Sequence, residues 1–243
     1  MANYKITDKN TVNIDGSCTI VINNSVANIN YNFKSGDYKV IVFSDANGDV
    51  TLNEVGTVKD ANVLITYLQL DHFDLLQNSK IDVDANSSLD IHTTYLGCNN
   101  KKVIFDLYNK GEQSSVNINN NIVCLQDANF SLDCIGTIVK GASRSKCHQN
   151  THCLTMQSPE KARVLPVLNI DEDEVEASHS LSCGTIDEEI LFYMNSRGLS
   201  SNESLGLILR SYLIPSDDFY NEYDLNEYLK NAVNEKVNEV CSI

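Results

Sequence analysis

Two short stretches concentrate the residue types that hold metals and sulfur. Residues 147–153 read Cys147-His148-Gln149-Asn150-Thr151-His152-Cys153, and residues 178–183 read Ser178-His179-Ser180-Leu181-Ser182-Cys183. Thiolates and neutral imidazoles are the soft and borderline ligands of iron, zinc and iron–sulfur centres. Spacing limits what either stretch does alone. On a strand, Cys147, Gln149, Thr151 and Cys153 share one face and His148 and His152 the other. Six residues of strand span roughly 20 Å, so Cys147 and Cys153 do not share one ion. Val175, Ala177, His179, Leu181 and Cys183 likewise fall on one face, with Glu176, Ser178, Ser180 and Ser182 on the other. Four residues of strand hold Cys183 ~13 Å from His179. An imidazole on such an apolar face reads either as a satisfied core histidine or as a ligand, and spacing leaves both open.

Other chemistries find little support. There is no glycine-rich phosphate loop, G-x-S-x-G elbow or H-E-x-x-H, so ATP hydrolysis and familiar hydrolase mechanisms lack their motifs. A polysaccharide-cleaving enzyme would need clustered carboxylates or basic groups on one face, and neither is evident. Composition excludes more. A net charge of −15 over 243 residues argues against nucleic acid or an anionic membrane as the main partner. No apolar run approaches the ~20 residues of a membrane span, and the first residues lack the profile of a secretory signal. The expected location is the cytoplasm, where the 8 cysteines stay thiols, structural unless a second ligand converges on them.

The elements that position these residues come in two kinds. From residue 11 to about 139, short β runs (26–33, 38–43, 50–58, 61–70, 81–84, 89–95, 102–108, 116–125) alternate with Asn, Gly, Asp and Ser punctuation. Period-two alternation, as in Val26-Ala27-Asn28-Ile29-Asn30-Tyr31, marks half-buried strands. No proline precedes Pro159, so corners fall to residues that tolerate a left-handed backbone. The pattern fits a sandwich, a barrel or a β-helix. Asn-rich corners suit stacked parallel coils, where like side chains hydrogen-bond along the axis, and equally suit ordinary loops. No strict repeat decides between them.

After Ile186 the period becomes helical. Asp187-Glu188-Glu189 places acidic residues at a first turn, with Ile190, Leu191, Tyr193 and Met194 as an apolar face and Gly198 as a C-cap. Ser200 and Glu203 form a capping box for a helix bearing Leu205, Leu207, Ile208, Leu209 and Tyr212, stopped by Pro215. Asp224 opens a last helix through about Val240. The expected division is a β region, residues 1–185, and a helical region, residues 186–243.

Several ordered motifs resemble the SufB/SufD proteins of iron–sulfur cluster assembly. They are Gly136-Thr137-Ile138-Val139-Lys140-Gly141-Ala142, Gln149-Asn150 with Leu154, Pro166-x-Leu168-x-Ile170 and Asp173-Glu174-Val175-Glu176-Ala177-Ser178-His179. Gly184-x-Ile186-Asp187, Leu191-Phe192-Tyr193 and Ser196-Arg197-Gly198-Leu199-Ser200 follow in the same order. The resemblance covers residues 136–213. It implies a mainly β fold, a right-handed parallel β-helix followed by a small C-terminal α-helical region. It further implies a non-enzymatic scaffold subunit that pairs through its β-helix with a SufB-like subunit or a second copy of itself. Its C-terminal helices would dock a SufC-type ABC ATPase.

Ser178-His179 and Gln149 resemble the SufD branch, where SufB-type sequences carry Glu-His-Glu and a cysteine. His179 is then the residue expected to meet a nascent iron–sulfur cluster shared with the partner. The alternative is a SufB-like homodimer holding the cluster with its own thiols, Cys147, Cys153 or Cys183. A reduced flavin accompanies some complexes of the family. The sequence departs from the family in starting directly in strand-like residues, where an N-terminal helical domain is usual. Ser180-Leu181 replaces the common Gly-Ala, and Cys183 stands where valine is frequent.

Overall fold

The computed structural model describes residues 2–6, 11–23, 25–44, 46, 48–70, 72–97, 99–125, 128–156, 161–213 and 225–242. Strands account for 60% of it, wound into a parallel β-helix of about six turns with three small helices after it. The choice between sandwich, barrel and solenoid is thus settled in favour of stacked coils.

Early strands are β1 (Ala2–Ile6), β2 (Thr11–Ile14) and β3 (Cys18–Ile22), then β4 (Val26–Ser44) and β5 (Val50–Gln69), long enough to run through two faces of a coil. After them each coil contributes two strands: β6 (Leu75–Val83) with β7 (Ser88–Gly97), β8 (Lys101–Asn109) with β9 (Ser115–Cys124), β10 (Phe130–Ile138) with β11 (Lys146–Thr155), and β12 (Ala162–Ile170) with β13 (Glu176–Thr185). One face carries the ladder β5-β6-β8-β10-β12 and the other β5-β7-β9-β11-β13, all parallel.

One left-handed corner residue recurs per coil: Ser35, Asp60, Asn86, Gln113 and Arg144. Stacked side-chain bonds step 25 residues (Asn53 to Asn28), then 26 (Ser88 to Asn62), 27 (Asn117 to Asp90) and 31 (Ser114 to Ser145). The coil lengthens along the chain, so no fixed period shows in the sequence. Asparagines stack on one another in several places, Asn30 donating to Asn13 at 3.1 Å among them. Asn78 donates to Asn53 and Asn53 to Asn28, each at 3.2 Å, on the outer face of a sheet. Asn129 donates to Asn100 at 3.0 Å in a turn column above Asp74.

The lumen is the main core. Columns such as Ile65–Ile91–Ile118 and Val63–Leu89–Val116 stack in register with their side chains buried. Within it lies one carboxyl, Glu54, which accepts from Tyr31 (2.6 Å), Tyr67 (2.9 Å), Gln77 (3.3 Å) and Ser79. Burial drives its pKa up against those four bonds, which pull it down.

The helices are α1 (Glu188–Ser196), α2 (Ser201–Leu213) and α3 (Leu225–Cys241). Asp187 caps α1 by accepting from the Glu189 amide at 2.8 Å, and Gly198 ends it with φ +97°. Ser200 and Glu203 bond reciprocally, Ser200 N to Glu203 Oε2 at 2.8 Å and Glu203 N to Ser200 Oγ at 3.2 Å, completing the expected capping box. The proposed stop at Pro215 and cap at Asp224 lie outside the described residues. Leu209 and Leu213 of α2 with Val233, Val237 and Cys241 of α3 form a second core against Leu96, Val123 and Leu154 of the solenoid. The apolar face expected on α1 is not a core face: no residue of α1 is buried, and Ile190, Phe192 and Tyr193 are exposed.

Candidate functional site

The register of β11 with β13 brings the two chemistry-bearing stretches together. Cys147 pairs with Ala177, Gln149 with His179, Thr151 with Leu181 and Cys153 with Cys183. These residues point inward, continuing the lumen columns: Ile65–Ile91–Ile118 is followed by Gln149 and then His179. The outward residues pair as well. His148 Nδ1 lies 2.8 Å from Ser178 Oγ, and Lys146 bridges to Glu176 at 3.0 Å.

The alternation of faces in β11 is as its sequence suggests: Cys147, Gln149, Thr151 and Cys153 are buried, whereas His152 is exposed. In β13 the same alternation meets a different environment. Every residue of Glu176–Cys183 is exposed, His179 included. The reading of His179 as a core histidine is corrected by this placement. Among the described strands none lies beyond β12 or β13, so the inward face of the last coil opens to solvent instead of to another coil. Ile170 and Leu181 are large apolar side chains exposed around the same opening, and Leu165 is exposed on the outer face of β12.

Beneath His179 the lumen is tight and polar. Gln149 donates from Nε2 to the Val167 carbonyl at 3.1 Å, while its Oε1 is buried without a hydrogen-bond partner. Gly136 of β10 leaves room for this: a methyl added there would stand 2.5 Å from Cys147 Sγ and 3.0 Å from Gln149 Nε2. The next polar column is Thr93, Asn120 and Thr151, bonded in series at 2.9 and 3.1 Å.

The cysteines differ in what they offer. Cys147 is buried, and burial pushes its thiol up to about 12. At neutral pH it is a thiol and a poor ligand or nucleophile until something displaces the proton. Cys153 is raised too, by burial and then by neighbouring Cys183. Cys183 is exposed. Among the described residues no group of three or more His, Cys, Asp and Glu converges well enough to hold a metal ion. Cys147 pairs with Ala177 and stands diagonal to His179 on the inward face.

Sequence spacing missed the contact of Cys153 with Cys183. The coil length sets it: Lys146–Glu176, His148–Ser178 and Asn150–Ser180 all bond across 30 residues, the same offset as the two cysteines, and no sequence pattern marks that length. A surface groove of about 550 Å³ lies elsewhere, across the starts of β5, β6, β8, β10 and β12. Asp74, Leu76, Lys102 and Arg163 line it, and it holds none of the expected site residues.

Fold and site define a β-solenoid protein whose chemistry-bearing residues crowd its open end, followed by a helical tail with an unburied apolar helix. The family described as SUF system FeS cluster assembly, SufBD core domain, matches residues 59–212, and the chain belongs to that family. The match starts well before residue 136, where the recognisable motifs begin.

Over 81 residues the chain is 36% identical to the iron–sulfur cluster assembly protein SufD of Bacillus subtilis (strain 168), covering 33% of this chain and 18% of that protein. Over 80 residues it is 36% identical to an iron–sulfur cluster assembly SufBD family protein of Pyrococcus horikoshii, again 33% of this chain and 18% of the relative. A SufBD family protein of Methanothermobacter thermautotrophicus (strain Winter) is 28% identical over 135 residues, 50% of this chain and 33% of the relative. The chain therefore matches between 18% and 33% of the length of these relatives.

Proposed function

We propose that this chain is a SufD-like, non-enzymatic subunit of a cytoplasmic scaffold on which iron–sulfur clusters are assembled. The observation that carries the reading is the uncovered last coil, with His179 on its open inward face directly above the buried Gln149. Among the described residues β12 and β13 each keep an unpaired edge, beside exposed Leu165, Ile170 and Leu181, a surface that a partner solenoid extends by adding its own strands, which also removes an aggregation hazard. The partner would be a SufB-like subunit or a second copy of this chain. The nascent cluster is cargo, held between His179 and thiols that the partner brings. A neutral imidazole suits iron and must be unprotonated to bind it. A reduced flavin belongs to the same proposal as an electron source supplied to the assembled complex.

Residues 186–243 serve as the ATPase-facing part and residues 1–185 as the pairing part. Within the former, α1 is the docking element for a SufC-type ABC ATPase, because Phe192 is 76% and Ile190 51% exposed on a helix that buries none of its residues. Removing all helices is a poor test, since α2 and α3 share a core with Leu96, Val123 and Leu154.

The test is to mix the full chain anaerobically with a SufB-like subunit, a SufC-type ATPase, iron and a sulfide source, and to follow the cluster by absorbance. Cluster formation that needs both partners and His179 supports the reading. A cluster formed on this chain alone and lost with Cys147→Ser, Cys153→Ser or Cys183→Ser overturns it in favour of the homodimeric scaffold.

A further inference from the structure

Cys153 and Cys183 are in-register neighbours on adjacent parallel strands, where strand spacing is about 4.8 Å. That lies inside the Cα separation of ordinary disulfides, about 4.4–6.8 Å. Both side chains fall on the inward face, so the two thiols face each other across the strands. Cys153 is buried at the floor of the last coil and Cys183 is exposed above it. A third thiol, Cys124, is one coil further in, but its Sγ is engaged with the carbonyls of Ala128 at 3.5 Å, Lys161 at 3.7 Å and Leu125 at 3.9 Å.

We propose that Cys153 and Cys183 form a thiol–disulfide exchange site for low-molecular-weight disulfides such as oxidised glutathione, closing reversibly into a disulfide that staples β13 to β11. The arrangement is that of an attacking and a resolving thiol. Cys183, reachable from solvent, loses its proton and attacks one sulfur of the small disulfide. A Cys183 mixed disulfide forms and one small thiol leaves. Cys153 then loses its proton and attacks Cys183 Sγ, expelling the second small thiol. The two protein thiols are oxidised by two electrons, the small disulfide is reduced to two thiols, and two protons are passed over. Burial holds Cys153 as a thiol, so the second step is the slow one, and the mixed disulfide is a visible intermediate.

The consequence is mechanical. Among the described residues β13 is bonded on one side only, to β11, so an open end frays more easily than any inner strand. A bridge at Cys183 pins that end within the coil that carries His179. The inference stands apart from the assembly reading, because it needs only the β11–β13 register and holds whether or not the chain carries clusters.

The experiment equilibrates the reduced full chain anaerobically in graded oxidised/reduced glutathione mixtures, quenches with acid, alkylates, and maps peptides by mass spectrometry. Expected is the joint loss of two alkylatable thiols per chain, a linked peptide containing Cys153 and Cys183, and full return with dithiothreitol. Cys183→Ser, at an exposed position, should leave Cys153 alkylatable, and Cys153→Ser should trap glutathione on Cys183. Amide hydrogens of β13 should exchange more slowly once the bridge is closed. The proposal is overturned if the wild-type chain stops at a glutathione adduct on Cys183, if the linked peptide joins Cys183 to Cys124, or if both thiols stay reduced across the whole series.

Discussion

Gln149 sits one coil beneath His179, its Cα partner in the parallel register, and keeps a buried Oε1 without any hydrogen-bond donor. An orphaned buried acceptor costs about 1–3 kcal/mol, which a packed lumen seldom tolerates without reason. The position just above it is where His179, or a donor brought by a partner, arrives. The open end of the solenoid is thus unfinished in its polar bonding as well as in its packing.

His179→Ala should leave folding nearly untouched, since exposed substitutions usually stay within about 0.5 kcal/mol. Urea unfolding checks that. Cluster yield in the reconstituted mixture should fall sharply while ATPase binding persists. An unchanged yield removes His179 from the site.

On α1, Phe192→Asp should likewise be neutral for stability, because the ring lies 76% exposed. Binding to a SufC-type ATPase, read by co-elution or calorimetry, should weaken by tenfold or more, roughly the 1.4 kcal/mol or above expected of a buried aromatic anchor. Undiminished binding would place the docking surface elsewhere on the chain.

Gly136→Ala forces a methyl to within 2.5 Å of Cys147 Sγ. Overpacking of this kind costs about 1–3 kcal/mol, and much of it should return in the double variant with Cys147→Ala. Gly111→Ala is the harsher change: its methyl would meet the Ala85 backbone nitrogen at 2.3 Å, which no side-chain adjustment relieves. Denaturant midpoints of the three proteins give the ranking.

Glu54 supplies a pH signature. Its native pKa is raised above the ordinary 4.5 by burial, so the folded state holds the proton more tightly than the unfolded one. That contribution to stability is fully present below the unfolded value and is lost as pH rises through the raised native value. The stability difference between the wild-type protein and Glu54→Gln should therefore shift against the wild type from pH 5 upward, then level off. Paired urea titrations across that range measure it, and a difference constant with pH would show that Glu54 keeps an ordinary pKa.

Much of the site was legible in the residues themselves. Period two assigned the faces of β11 correctly, and the acidic turn at Asp187-Glu188-Glu189 and the capping box of Ser200 and Glu203 located two helices, because these signals depend on neighbours a few residues away. The motifs around His179 pointed to the family, which the match over residues 59–212 bears out. Coil stacking was not legible, since coil length varies between 25 and 31 residues and hides the repeat.

Sequence alone determined the β-then-α order, the alternation of strand faces and the Ser200–Glu203 cap, which follow from local sterics and hydrogen bonding. It did not determine that 26–33 and 38–43 run on as one strand, or that 81–84 ends a longer one. Only the tertiary structure decided that β13 is a last, uncovered coil, and this turned the apolar side of His179 from a core face into an open one. It also decided that α1 buries none of its residues, and that Cys153 meets Cys183. Each is a contact, or a missing contact, between segments far apart in the chain. The number of coils stacked beyond a residue is a global property, so no local pattern encodes it.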